Sequence, residues 1–67
     1  MECITLIGSV TVERNGLATL TYPIGSETAT VKGIKLNREP RHYKLGSRAY
    51  CKLYKALDTG YVLYSAE

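Results

Sequence analysis

Arg48, Tyr50, Lys52 and Tyr54 are the residues of this chain whose types and spacing most suggest chemistry. On an extended backbone successive side chains point to opposite faces, so these four share one face. Rings and cations in alternation let flat bases stack while the cations reach phosphates, which is what single-stranded nucleic acid needs. The same row, joined by Tyr64 from the segment that follows, suits a protein interface equally well, because tyrosine-rich patches rimmed by charge are common there. The plainest reading is that tyrosines and lysines merely cover a two-sided hairpin. A second group of cations, Arg38, Arg41 and Lys44 with His42 among them, falls in NREPRHYK and is offset only by Glu39. It reads as a solvated loop or, more sharply, as a loop that contacts phosphates.

Catalytic chemistry finds little to work with. Asp58-Thr59-Gly60 spells the catalytic triplet of aspartic proteases, whose chemistry needs two carboxylates sharing a proton in a cleft. Its flanks are those of a hairpin turn, and the chain is too short to build a cleft and flaps around it, so the turn accounts for the triplet. His42 is the only histidine and has no nucleophile placed near it in sequence. Cys3 and Cys51 form no CxxC or Cys/His cluster, which excludes a four-ligand zinc site and a disulfide-dense scaffold. Cys51 falls on the apolar phase of its segment and reads as a small buried hydrophobe, whereas Cys3 lies near the terminus. The six glycines are spread along the chain at turns and never gather into a phosphate-cradling loop before a helix. We therefore expect no enzyme, no cofactor and no metal.

These residues must be positioned by very little protein. The chain has 67 residues, enough for one domain spanning residues 1–67, and a domain of this size buries only about 60% of its unfolded surface. So thin a core is usefully supplemented by self-association, and a homo-oligomer is expected. The net charge of +3 permits an anionic partner without demanding one. There is no Phe and no Trp but there are six Tyr, an aromatic that tolerates half-wet positions, so rings are expected at rims and interfaces more than deep in a core. The opening MECITLIGS carries an acidic residue where a signal peptide would be basic, and its apolar run is too short for a membrane span. The expectation is a reduced cytoplasmic protein with no membrane partner.

The elements follow from periodicity. Ile4 to Val12 alternates with β-branched residues throughout, the pattern of a half-buried strand. A three-residue loop, Arg14 to Gly16, pairs Val12 with Ala18, Val10 with Leu20 and Gly8 with Tyr22, which sets every apolar residue on one face and lays a ring over a glycine. Gly25-Ser26 then makes a two-residue turn pairing Ile24 with Glu27, Tyr22 with Ala29 and Leu20 with Val31. Beyond Val31 the apolar phase moves to Ile34 and Leu36, and the change falls on Gly33, which predicts a β-bulge. Pro40 breaks the pattern in a turn, with room for a single 3₁₀ turn.

Residues 43–66 hold five of the six tyrosines and decide the fold. As a helix over 47–57, Ser47 would cap it, but Arg48 and Asp58 would sit at the wrong ends of the macrodipole. As a strand, Ala49, Cys51, Leu53 and Leu57 face one way, interrupted by Lys55, and the cation–tyrosine row the other. Asp58 to Gly60 then form a second three-residue loop pairing Leu57 with Tyr61, Ala56 with Val62 and Tyr54 with Tyr64, so that Ala56, Val62 and Tyr64 join the outer face. The strand reading reuses a device already present upstream and is preferred; the helical alternative would make the chain α+β. The expected architecture is all-β, a small five-stranded SH3-like or OB-like half-open barrel formed by a three-stranded meander and then a hairpin.

Fold carries no function with it. The functional expectation is a non-enzymatic binding module that takes nucleic acid through Arg48, Tyr50, Lys52, Tyr54 and Tyr64, with Arg38, Arg41 and Lys44 as auxiliary cations. The alternative is a protein-binding or inhibitor module of the size phages encode, acting as a homo-oligomer. A third reading uses the same cations to sequester a small anionic ligand between subunits.

Overall fold

The computed structural model describes residues 2–58 and 60–67. Five strands are present: β1 (Cys3–Val12), β2 (Ala18–Ile24), β3 (Glu27–Leu36), β4 (Arg48–Ala56) and β5 (Gly60–Ala66). A single 3₁₀ turn, Pro40–His42, lies between β3 and β4, and there is no α-helix among the described residues. The strand reading of the segment after Ser47 therefore holds, and the helical alternative falls. No helix of the described residues is long and apolar enough to cross a membrane.

The first three strands form the predicted meander. Val12 pairs with Ala18 and Val10 with Leu20, while Leu20 meets Val31, Tyr22 meets Ala29 and Ile24 meets Glu27. The loop between β1 and β2 is closed by hydrogen bonds from Glu13 N–H to the Leu17 carbonyl at 2.8 Å and from Gly16 N–H to the Glu13 carbonyl at 2.9 Å. Between Leu20 and Ala18 the register of β3 slips, with Ala18 opposite Ile34. Gly33 sits in that slip with φ +72°, a conformation that β-branched residues adopt only with strain, so the phase change and the glycine have one cause.

Closure is complete where a half-open barrel was expected. The strands run in the order β1-β2-β3-β5-β4, and β4 returns to β1. Two features achieve this. β1 is shared, giving its second half, from Ser9, to β2 and its first half, through Ser9, to β4. Gly8 stands where it changes partner, and a Cβ there would run into the Thr21 carbonyl oxygen and come within 2.9 Å of Tyr22 Cβ, so only glycine lets the strands cross this closely. The other seam is a short parallel pairing of β3 with β5, Lys35 to Val62 and Leu36 to Leu63. A meander followed by a hairpin joined in this way is a Greek-key closure, as in OB-like barrels.

The second hairpin corrects the predicted register. Ala56 pairs with Gly60, Lys55 with Tyr61 and Tyr54 with Val62, a slide of two residues. The outward row of β4 is kept, but Val62, expected on the outer face, is buried and Leu57, expected on the inner one, is not. The slide puts Leu63 between Leu36 on β3 and Leu53 on β4, in the middle of the barrel, and leaves Leu57 fully exposed in the turn. Burial of Leu63 outweighs the turn pattern. Thr59, the centre of the predicted loop, lies outside the described residues. Past Leu63 the β4–β5 register shifts by one, because Leu53 pairs with Leu63 whereas Lys52 pairs with Ser65. Tyr64 is the extra residue of this bulge and projects outward, and the phase change lets Ala66 return to the core.

Val10, Leu20, Ile34, Cys51, Leu53 and Leu63 form the centre of the core, together with Tyr43. Tyr43 departs from the expectation that rings lie at rims. It is buried, its hydroxyl donates to the Leu63 carbonyl at 2.9 Å and accepts from the N–H groups of Asn37 and Arg38, each at 2.9 Å. One phenol thus staples the β3–β4 connection onto β5 and satisfies three backbone groups.

Candidate functional site

The outer surface of β1, β4 and β5 carries the candidate site. On β4 the odd residues Ala49, Cys51 and Leu53 are buried, so Arg48, Tyr50, Lys52 and Tyr54 necessarily face out. Opposite them on β1 stand Ser9, Ile7, Thr5 and Cys3, in that order. Side chains two apart on a strand are separated by roughly 6.6 Å, so the row spans about 20 Å. The predicted row therefore exists as one continuous surface, with Tyr50 at 62% exposure and Tyr54 half-buried.

At the Tyr54 end this surface dips into an open groove of about 650 Å³. Thr5, Asn37, Lys52, Tyr54 and Tyr64 line it, with Cys3 and Leu53. Tyr54 leans on the wall, its hydroxyl donating to Asn37 Oδ1 at 3.4 Å. Tyr64 faces out by alternation from buried Leu63 and lines the groove, and the bulge acts on the residues after it, returning Ala66 to the core. Lys52 is the one charged group of the lining. Two rings and an ammonium in one groove, with an amide and a hydroxyl at hand and no carboxylate in the lining, can hold a flat polar ligand bearing negative charge.

The auxiliary cations divide. Arg38 lines a second, smaller pocket that shares Tyr64 with the groove, so the barrel brings it to the site. Arg41 is engaged elsewhere, 3.4 Å from Glu39 Oε1 in an exposed ion pair. Lys44 is exposed, its backbone N–H bonded to the Ala66 carbonyl at 2.8 Å, and its side chain lines neither depression. Sequence reasoning missed Thr5, Asn37 and Glu67. Thr5 reaches the site through the β1–β4 pairing and Asn37 through the turn after β3, neither of which leaves a local signal.

Of the other residues weighed for chemistry, Cys3 lines the groove and His42 the second pocket, whereas Cys51 and Asp58 lie apart from both. Cys51 is fully buried, its thiol facing the Ala49 and Gly8 carbonyls at 3.6 and 3.9 Å, and burial pushes its pKa above the ordinary 9.0. Asp58 is exposed in the turn after β4. Among the described residues no three His, Cys, Asp or Glu side chains gather as metal ligands would. No family model, curated protein or solved structure matches this chain.

Proposed function

We propose that the chain is a non-enzymatic binding module whose outer β1, β4 and β5 face takes single-stranded nucleic acid. The observation that supports this reading is the groove lined by Lys52, Tyr54 and Tyr64 together, with no acidic side chain in the lining. Bases have a flat face whatever their identity, so two rings and a cation make a sequence-tolerant platform, and Tyr50 and Arg48 extend it along β4. Titration of a short labelled oligonucleotide of mixed sequence by fluorescence anisotropy tests it. The affinity should fall with salt with a slope of about −0.7 per phosphate contacted, Lys52→Glu should weaken binding about tenfold or more, and Tyr54→Ala should cost about 1–3 kcal/mol. Absence of binding at low salt, or binding indifferent to both salt and Lys52→Glu, ends the reading.

A second reading is favoured by one specific feature. Ile7, 37% exposed, lies beside Tyr50 on this face, an apolar pair suited to docking on a second copy of the chain or on a partner protein. Light scattering at low and high salt separates the readings. A doubled mass indifferent to salt and reduced to the monomer by Tyr50→Glu supports the interface, and a monomeric mass removes self-association.

A further inference from the structure

We propose that the pocket beside the groove reads guanine, an inference that rests on the nucleic-acid reading above. The pocket encloses about 270 Å³ and is lined by Arg38, His42, Tyr64, Ser65, Ala66 and Glu67. Tyr64 belongs to both depressions, so a strand lying in the groove carries its bases past the pocket mouth. The two charged residues are placed by well-anchored backbone. Arg38 N–H donates to the Tyr43 hydroxyl, and Glu67 exchanges backbone hydrogen bonds of 2.9 and 3.0 Å with Tyr50 as an extension of the sheet. The one ion pair among the described residues is Arg41 with Glu39, so Arg38 and Glu67 share a pocket without closing on each other.

That combination sets the ligand chemistry. A phosphate would suit Arg38 but would meet the Glu67 carboxylate, an acceptor with nothing to donate. A base edge offers donors and acceptors together. Guanine alone presents two adjacent donors, N1–H and the 2-amino group, that match both oxygens of a carboxylate, and two adjacent acceptors, O6 and N7, that match a guanidinium fork. Adenine and cytosine each offer a single donor group, so neither presents two adjacent donors to a carboxylate, and thymine has no amino group. Tyr64, half-exposed, supplies the ring on which the base stacks.

Oligothymidine carrying one central guanine, adenine, cytosine or inosine tests this, with plain oligothymidine as reference. The guanine strand should bind about tenfold more tightly than the reference. Inosine, which lacks the 2-amino group, should lose most of that gain without any change to the protein, and Glu67→Gln should collapse the guanine-to-thymine ratio. If oligothymidine binds and guanine adds nothing, the inference is overturned while the groove reading stands. If Arg38→Ala weakens all strands equally, Arg38 serves a phosphate and the inference is again overturned. If no strand binds, both fall together.

Discussion

Tyr43 shows how much of so small a barrel can depend on one polar atom. Its hydroxyl meets two N–H groups of the β3–β4 connection and one carbonyl of β5, each at 2.9 Å. Removing the oxygen and keeping the ring leaves Arg38 N–H without this acceptor, while Asn37 N–H and the Leu63 carbonyl keep their own bond of 3.2 Å. The cost is therefore that of an ordinary hydrogen bond, about 0.5–1.5 kcal/mol. Tyr43→Phe should lower the thermal midpoint by roughly 4–8 °C for each kcal/mol lost, read by circular dichroism. The Arg38 side of the second pocket, hung from the same hydroxyl, should loosen with it. Cys51 makes a prediction about pH. Its raised thiol pKa means that the folded state holds a proton the unfolded state gives up more readily, so this contribution is complete below about pH 9 and is lost as pH rises through the folded pKa. Urea titrations should show stability falling more steeply above about pH 9 in the wild type than in Cys51→Ala. Thiol labelling in the native state should modify exposed Cys3 rapidly and Cys51 only on unfolding.

Among elements, β5 makes the structural decision. Its slide of two residues along β4 places Leu63 against Leu36 and Leu53 and ejects Leu57. Leu57→Ser should therefore change stability by no more than about 0.5 kcal/mol, whereas Leu63→Ala should cost about 2–5 kcal/mol, both from denaturant melts. In the register predicted from the turn alone, Leu57 would pair with Tyr61 and its loss would be felt. The alternation of β4 was legible because a strand facing both core and solvent writes its period into its own residues, from Ala49 to Tyr54. The bulge at Tyr64 was not, since it arises from where β5 must meet β3, and that pairing is parallel and distant in sequence. The Gly33 bulge was legible because the glycine and the phase change fall at the same place.

At the scale of the whole molecule, closure depends on strands far apart in the chain. β1 must find β4, with Ile4 opposite Leu53, and β3 must find β5 before the core is sealed. Loop-closure entropy is met before these contacts form, so refolding should be a single exponential on the millisecond-to-second scale, slower than a helical domain of this size. Stopped-flow refolding by tyrosine fluorescence measures it, and a microsecond phase carrying the full amplitude would contradict the non-local closure. Closure also gives the candidate site its walls, because the groove takes residues from β1, β4, β5 and the turn after β3.

The sequence by itself determined the strands, the first two turns, the bulge at Gly33 and the outward row of Arg48, Tyr50, Lys52 and Tyr54. Each of these is written in residues that are neighbours in the chain, where period, turn chemistry and glycine placement act locally. Only the tertiary structure decided that the barrel closes through β3 and β5, that Tyr43 is buried, and that Thr5 and Asn37 line one groove with Lys52 and Tyr64. It also separated Arg38, which reaches the site, from Arg41 and Lys44, which do not. Those outcomes depend on which apolar residues share the centre of the barrel. Burial of Leu63, Leu53 and Leu36 together is a property of the whole packed core, carried by no single segment.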